Sequence, residues 1–492
     1  MRTMIPALLA STLLGLAAPT AAQAPYLVKD INPDPESVGS IPDFLGVSEG
    51  VAFLGADDGT SGRELWRTDG TDGGTWQIAD ICPQECGSNP VPLLATPAGF
   101  FFRARVGGAP RSLWITRGEP ASTFELTEAE VLNRRPVWDD VRNLLFFVAY
   151  DSQGAELWRS DGTPAGTWRV TDINPLRDGP APADLTLFAG RLFFLADAGS
   201  GPALWATDGT NQGTRRIKGF GTLGPGDLLI FGQTLVLTAP RSSRFWLWRS
   251  DGTTQGTVPL VALGSRDALM VMNSSLIVGS RLLFTTNALD ASALWVTDGT
   301  ASGTRKLASF SPNSIRLPGF SLGSRIVFPA ADSEHGSELW ATDSTPAGTR
   351  RLKDFCPGRC DGFAFPILVY RNRVVVTAAT PDRGRELWTT DGTPAGTRVL
   401  RDICRGPCDA DPWIMGIRDD RLIFAAHAAG RPDEIWSSDG TSQGTVRVSQ
   451  LGPDWSVRPG ALNPWSLALP TGILFAASDP AHGQELWVLP AP

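Results

Sequence analysis

Residues 156–170 read ELWRSDGTPAGTWRV, with one Asp, two Gly and three hydroxyl side chains in a span that suits either a ligand loop or a turn. The stretch is not unique. Its turn returns as TDGTDGGT (68–75), TDGTNQGT (207–214), SDGTTQGT (250–257), TDGTASGT (297–304), TDSTPAGT (342–349), TDGTPAGT (390–397) and SDGTSQGT (438–445), with a decayed copy, TRGEPAST, at 116–123. An active site needs its acid once, whereas Asp69, Asp161, Asp208, Asp251, Asp298, Asp343, Asp391 and Asp439 hold the same place in eight units. Repetition therefore assigns a structural job. Gly accepts positive φ and an Asp carboxylate takes nearby backbone N–H groups, so Asp-Gly is a turn. A calcium or catalytic role is the competing reading for these acids, and no other cofactor is expected.

Just before each copy lies a Leu-Trp or Ile-Trp pair, giving the ladder Trp66, Trp114, Trp158, Trp205, Trp248, Trp295, Trp340, Trp388, Trp436 and Trp487, with steps of 43 to 51 residues. A period in the forties with short strands predicts propeller blades. One unit parses as strands at 185–188, 191–196, 203–205 and 214–217, four antiparallel strands joined by hairpins. Such a sheet is apolar on both faces and needs a neighbour on each. Adjacent Leu and Trp leave a strand on opposite sides, so each is expected to meet a different neighbour.

The ends of the chain fit a ring. YLVKDINP (26–33) matches the fourth-strand segment WRVTDINP (168–175), and the C-terminal ELWVLPAP is a third strand without a fourth. The expectation is an all-β protein forming one ring of about ten four-stranded blades, closed by pairing of the two terminal strands so that no sheet edge stays open. Two smaller rings compete with this, but no step in the ladder is long enough to hold a linker. Composition agrees: charged residues make up 19%, while 53 Gly and 39 Pro interrupt the apolar runs every few positions.

Arg2, the apolar run 5–18 and the small residues up to Ala24 have the layout of a secretory leader, cleaved after Ala22 or Ala24, with the propeller as 25–492. No Cys at the cleavage site indicates a lipid anchor, and no later run approaches the length of a membrane span. The expected location is thus secreted, periplasmic or cell surface. A net charge of −8 and scattered Lys exclude the basic stripe that nucleic acid demands.

The units ELWRTDGTDGGT, ELWRSDGTPAGT and ELWTTDGTPAGT resemble the ELWxxDGT repeat of bacterial secreted, hyalin-like proteins, although Trp114, Trp248 and Trp295 sit in copies that have lost the Glu. The resemblance covers nearly the whole mature chain. It implies a propeller-like extracellular protein and no defined reaction. DGGTW (72–76) is also similar to the Asp-box of sialidases and sortilin-type propellers, itself a fold element.

Six Cys form three tight pairs, Cys82 and Cys86, Cys356 and Cys360, Cys404 and Cys408, each in the loop that follows a fourth strand. In an exported protein they read as three local disulfides; zinc is the alternative. His335 and His482 occupy the same hairpin in different blades, and His427 lies in a second strand. Asp58, Asp332 and Asp479 stand six positions before the Glu of ELW, and Asp43, Asp184 and Asp227 precede inner strands. Both sets would open on one face, as Asx turns or as an acidic channel mouth. The ladder Trp are expected in the core, whereas Trp138, Trp413 and Trp465, in or near inner strands, are the carbohydrate candidates. No HExxH, GxSxG or phosphate-binding Gly loop is present.

The expected function is that of an exported binding or surface-interaction module for a protein or glycan, with specificity on the variable loops of a rigid ring. A propeller glycosidase or lyase would instead need two carboxylates facing each other across a central cleft, about 5 to 9.5 Å apart. A purely structural matrix role is the third reading.

Overall fold

The computed structural model describes residues 24–492 apart from 35–36, 85, 174–178, 222–223, 266–270, 288–290, 316, 318, 432, 450–454, 458–465 and 491–492. The leader, except for Ala24, and Trp465 therefore lie outside the described residues. The described residues fold into ten antiparallel sheets and, among them, a single 3-10 turn, Pro120–Ser122. The sequence order of strands runs from the innermost to the outermost position of each sheet. Blade one is Asp43–Ser48, Val51–Asp57, Arg63–Thr68 and Trp76–Ala79. Blades two to nine begin with inner strands at Val91, Glu130, Ala183, Gly226, Val271, Phe320, Phe365 and Trp413. The decayed unit at 116–123 belongs to a complete blade, the second.

Blade ten joins the chain ends. Ser466–Leu469, Gly472–Asp479 and Gly483–Pro490 supply three strands, and Tyr26–Lys29 supplies the fourth, with Tyr26 opposite Val488 and Leu27 opposite Trp487. Inner strands of successive blades approach one another, including those of blades ten and one. The result is a ten-bladed β-propeller.

Ten hydrophobic clusters hold it, one at each junction between blades. The adjacent Leu and Trp divide as their alternation requires. Leu65 packs toward blade two and Trp66 toward blade ten; Leu157 packs toward blade four and Trp158 toward blade two. Trp388, Trp436 and Trp487 repeat the arrangement, while Trp205 and Trp340 are half-buried against their clusters. Fully buried Phe residues from second strands, such as Phe102, Phe194, Phe328 and Phe475, fill the junctions. Because every sheet buries apolar side chains on both faces, no blade is a stable unit alone.

The blade topology sorts the loops. Turns between first and second strands and the DGT turns lie on one face of the ring. Turns between second and third strands and the connections to the next blade lie on the other.

Candidate functional site

On the DGT face each acid is satisfied inside its own turn. Asp69 Oδ1 accepts the amide of Thr71 at 2.9 Å and its hydroxyl at 2.7 Å, and the Thr71 hydroxyl accepts the amide of Gly74 at 3.0 Å. The same bonds recur at Asp161, Asp208, Asp251, Asp298, Asp343, Asp391 and Asp439. The threonine hydroxyl holds Asp69, Asp208, Asp251, Asp298, Asp343, Asp391 and Asp439 below the ordinary carboxylate range.

The two glycines answer different demands. The first takes φ near +90°, and where the third-to-last copy has drifted in TDSTPAGT the serine there, Ser344, still adopts φ 70. At the second, an added Cβ would stand 2.0 Å from Asp69 Oδ1. The decayed copy lacks the Asp but keeps the hydroxyl pair that closes the turn, Thr116 to Thr123 at 2.7 Å.

The opposite face uses its acids differently. Asp58 caps its own turn through Thr60 and Ser61. Asp332 accepts the amides of Glu334 and His335 and pairs with His335 Nδ1 at 2.9 Å; Asp479 does the same with Ala481 and His482. His427 Nδ1 stands 3.5 Å from Asp433. These hairpins are Asx turns, two of them latched by an imidazole. The Cys pairs are disulfides in the loops between blades, with Cα separations of 5.5 to 5.7 Å. Among the described residues, no three His, Cys, Asp or Glu side chains converge as a metal site would require.

Trp138 tilts against Phe101 at 6.2 Å, and Trp413 donates its indole N–H to the Val457 carbonyl at 3.0 Å. Both are half-buried between blades, beside the clusters of the second and ninth junctions.

Sequence reasoning overlooked the Glu of ELW. Glu64, Glu156, Glu338, Glu386 and Glu485 are buried, and their carboxylates accept backbone amides from the loop after the fourth strand. Glu64 takes Ile81, Cys82 and the amide and hydroxyl of Ser88; Glu485 takes Ile31, Asn32 and the amide and hydroxyl of Ser40. Burial pushes Glu338 and Glu386 up to about 7, and raises Glu64 and Glu485, whose serine hydroxyls pull the other way. A signal existed. Each of these Glu is followed 17 positions on, or across the ring closure, by Ile or Phe in an Asp-Ile or Asp-Phe pair. Glu434 has no such pair and binds Arg447 at 2.7 Å instead.

One place breaks the regularity of the ring. The inner edge of blade three is split into Glu130–Val131 and Val137–Asp139, both pairing with the same second strand, and the intervening turn carries Asn133, Arg134 and Arg135. They line a cavity of about 730 Å³ with Asp184, Thr186, Asp227, Ser274, Ser275 and inner-strand neighbours from blades four to six. Most inner strands bulge near their start, and a bulge re-aims side chains. In blades four and five the bulged stretch lies between Ala183 and Thr186 and between Gly226 and Leu229, so it contains Asp184 and Asp227. Asp184 sits at φ 55, a sparsely populated conformation for a residue with a Cβ.

Of the three acids that precede inner strands, the fold thus brings two together. Asp43 lies elsewhere on the ring and pairs with Arg63 at 2.6 Å. Burial raises Asp184 against the pull of Arg134 and Arg135; Asp227 is pushed up to about 6 by burial and by the charge of Asp184. Arg134 and Arg135 are exposed, and among the described residues neither guanidinium makes a hydrogen bond or an ion pair. Asn133, Arg134 and Arg135 were not singled out by the sequence. Their signal is the Arg-Arg-Pro that interrupts an inner strand at 134–136.

No protein-family model matches the chain, and no curated protein matches it. Among solved structures it is similar to puromycin hydrolase, with 14% identity, a TM-score of 0.35 and coverage of 74% of this chain and 61% of that one. It is similar also to the computationally designed Ika8 protein (13%, 0.35, 83% and 96%) and to a prolyl endopeptidase (11%, 0.35, 90% and 55%). The chain spans about three-fifths of the length of puromycin hydrolase. At these TM-scores the likenesses carry no argument about activity. No helix among the described residues is long and apolar enough to cross a membrane.

Proposed function

We propose that the protein is an exported binding module of the ELWxxDGT-repeat kind, non-catalytic, which receives its ligand at the channel mouth on the face that carries the disulfide loops. The observation that carries this reading is the cavity lined by Arg134, Arg135, Asp184 and Asp227, whose charges occur once in a ring built otherwise from repeats. Asp184 and Asp227 are half-buried and repel each other, a cost that a bound cationic group would relieve. The disulfides agree with an oxidising compartment.

The rim supports specificity. Ile41, Asn89, Phe363 and Asp411 all take φ between 40 and 47 in the loops entering blades one, two, eight and nine. One backbone position thus presents four different side chains on a common frame, with Phe363 58% exposed.

The test is a screen of glycans, peptides and cations against the mature protein, repeated with Arg135→Ala, Asp227→Asn and Phe363→Ala. A ligand lost on substitution while the melting temperature holds is the expected result. A screen in which nothing binds, or in which binding survives all three changes, would reject the reading. The juxtaposed Asp184 and Asp227 give the glycosidase or lyase alternative its one specific support, and release of new reducing ends from a bound glycan would establish it over simple binding.

A further inference from the structure

The geometry points to a ligand of opposed charges at the channel mouth, a short peptide with free termini that sets its carboxylate against Arg134 and Arg135 and its ammonium against Asp184 and Asp227. This rests on the channel mouth being the binding site, as proposed above, and adds the chemical class.

The argument is one of charge balance. Blade three contributes two cations, and blades four and five contribute two carboxylates, all lining one cavity of about 730 Å³. The two sets are near enough for Arg134 and Arg135 to act on Asp184, and for Arg135 to act on Asp227, yet among the described residues none of these groups is in ion-pair contact. The gap between them is therefore polarised, positive on one wall and negative on the other. A purely anionic ligand, such as a uronate glycan, would satisfy the guanidinium wall and leave the two carboxylates facing each other across its hydroxyls. A purely cationic ligand would do the reverse. Only a ligand carrying both charges relieves both walls at once, and a guanidinium fork suits a carboxylate particularly well. Of the remaining polar lining, Thr186 and Ser274 spend their hydroxyls on internal bonds and Asn133 Oδ1 accepts from Arg103, which leaves the Asn133 amide N–H2 and the Ser275 hydroxyl to pair with peptide groups. A cavity set among the inner strands of blades three to six admits a chain end more readily than a folded surface, which favours termini over charged side chains of a large protein.

The site also predicts the sign of a pH effect. The charged groups acting on Asp227 are Asp184 and Arg135, and its carboxyl titrates at about 6. Below that pH the ammonium loses half of its partner pair, so a peptide binds more weakly in acid. An anion alone would bind more strongly there.

The experiment is calorimetric titration of the mature protein with trialanine, N-acetyl-trialanine, trialanine amide and tetragalacturonate, at pH 7.5 and pH 5. Dialanine and pentaalanine serve as a ruler for the spacing of the walls. Trialanine or one of its length variants is expected to bind, and each cap to weaken it about tenfold, the scale of one charge-assisted contact. Arg135→Ala should reproduce the amide penalty and Asp227→Asn the acetyl penalty, and a variant combined with its matching cap should show no further loss. Equal binding of free and capped peptides would overturn the assignment. So would tetragalacturonate binding that strengthens at pH 5 while the peptides do not bind, an outcome that leaves the binding module standing. Silence from all probes here and in the wider screen would remove both.

Discussion

The two faces of the ring put the same group to work over different distances. On the DGT face a carboxylate accepts the amide and hydroxyl of a threonine two residues away, eight times over. On the other face Glu64 reaches residues 17 to 24 positions on, and Glu485 reaches residues 445 to 454 positions back. The first arrangement shapes a turn; the second fixes how one blade hands the chain to the next. At the channel mouth Asp184 and Asp227 have neither kind of partner among the described residues, and their titration moves up where that of Asp69 and Asp208 on the DGT face moves down. An acid satisfied by its neighbours is architecture, and an acid left facing another charge is what the proposed ligand site is built on.

The sharpest way to break the comparison is Glu485→Ala. It leaves the amides of Ile31, Asn32 and Ser40 and one hydroxyl without their buried acceptor at the ring closure. The expected loss is about 3–5 kcal/mol, read from urea denaturation. Gly74→Ala tests the local arrangement by placing a Cβ 2.0 Å from Asp69 Oδ1. Opening one turn out of eight should cost about 1–3 kcal/mol without opening the ring.

Ala410→Ser sharpens the contrast between the Glu loops. Ala410 gives its carbonyl to the next blade as Ser40 and Ser88 do, but has no hydroxyl, and Glu386 Oε2 is buried without a partner. With its carboxyl raised from 4.5 to about 7, Glu386 contributes stability that is full below pH 4.5 and is lost as pH rises through 7. A hydroxyl donated to Oε2 favours the ionised form. The variant should gain about 1 kcal/mol at pH 8 and little at pH 5, measured as the pH dependence of the denaturation midpoint.

The smallest effect is expected from Asp227→Asn. Asp227 rises from 3.8 to about 6, so the native protein loses stability between those values as pH increases. Asn cannot titrate, and that part of the slope should vanish. Because the side chain is partly solvated, the change should stay under about 1 kcal/mol.

Much of this molecule is legible in its sequence because its decisive interactions are short. The ladder of Trp fixed the number of blades, Leu beside Trp assigned their faces, and YLVKDINP announced the strand that completes blade ten. The hairpins of Asp58, Asp332 and Asp479 were likewise readable as turns, since the donors lie two and three residues away. The Glu of ELW stood in plain view, but its partners arrive from another strand and, at Glu485, from the other end of the chain.

What the sequence determined by itself was therefore the repeat, the ring and the turns, all set by periodicity and by hydrogen bonds that close within a few residues. Only the tertiary structure decided which acids are buried, which stay unpaired, and that Arg134 and Arg135 meet Asp184 and Asp227 in one cavity. The reason is physical: charge and desolvation depend on distance in space, and the residues that share this cavity are separated by whole blades along the chain.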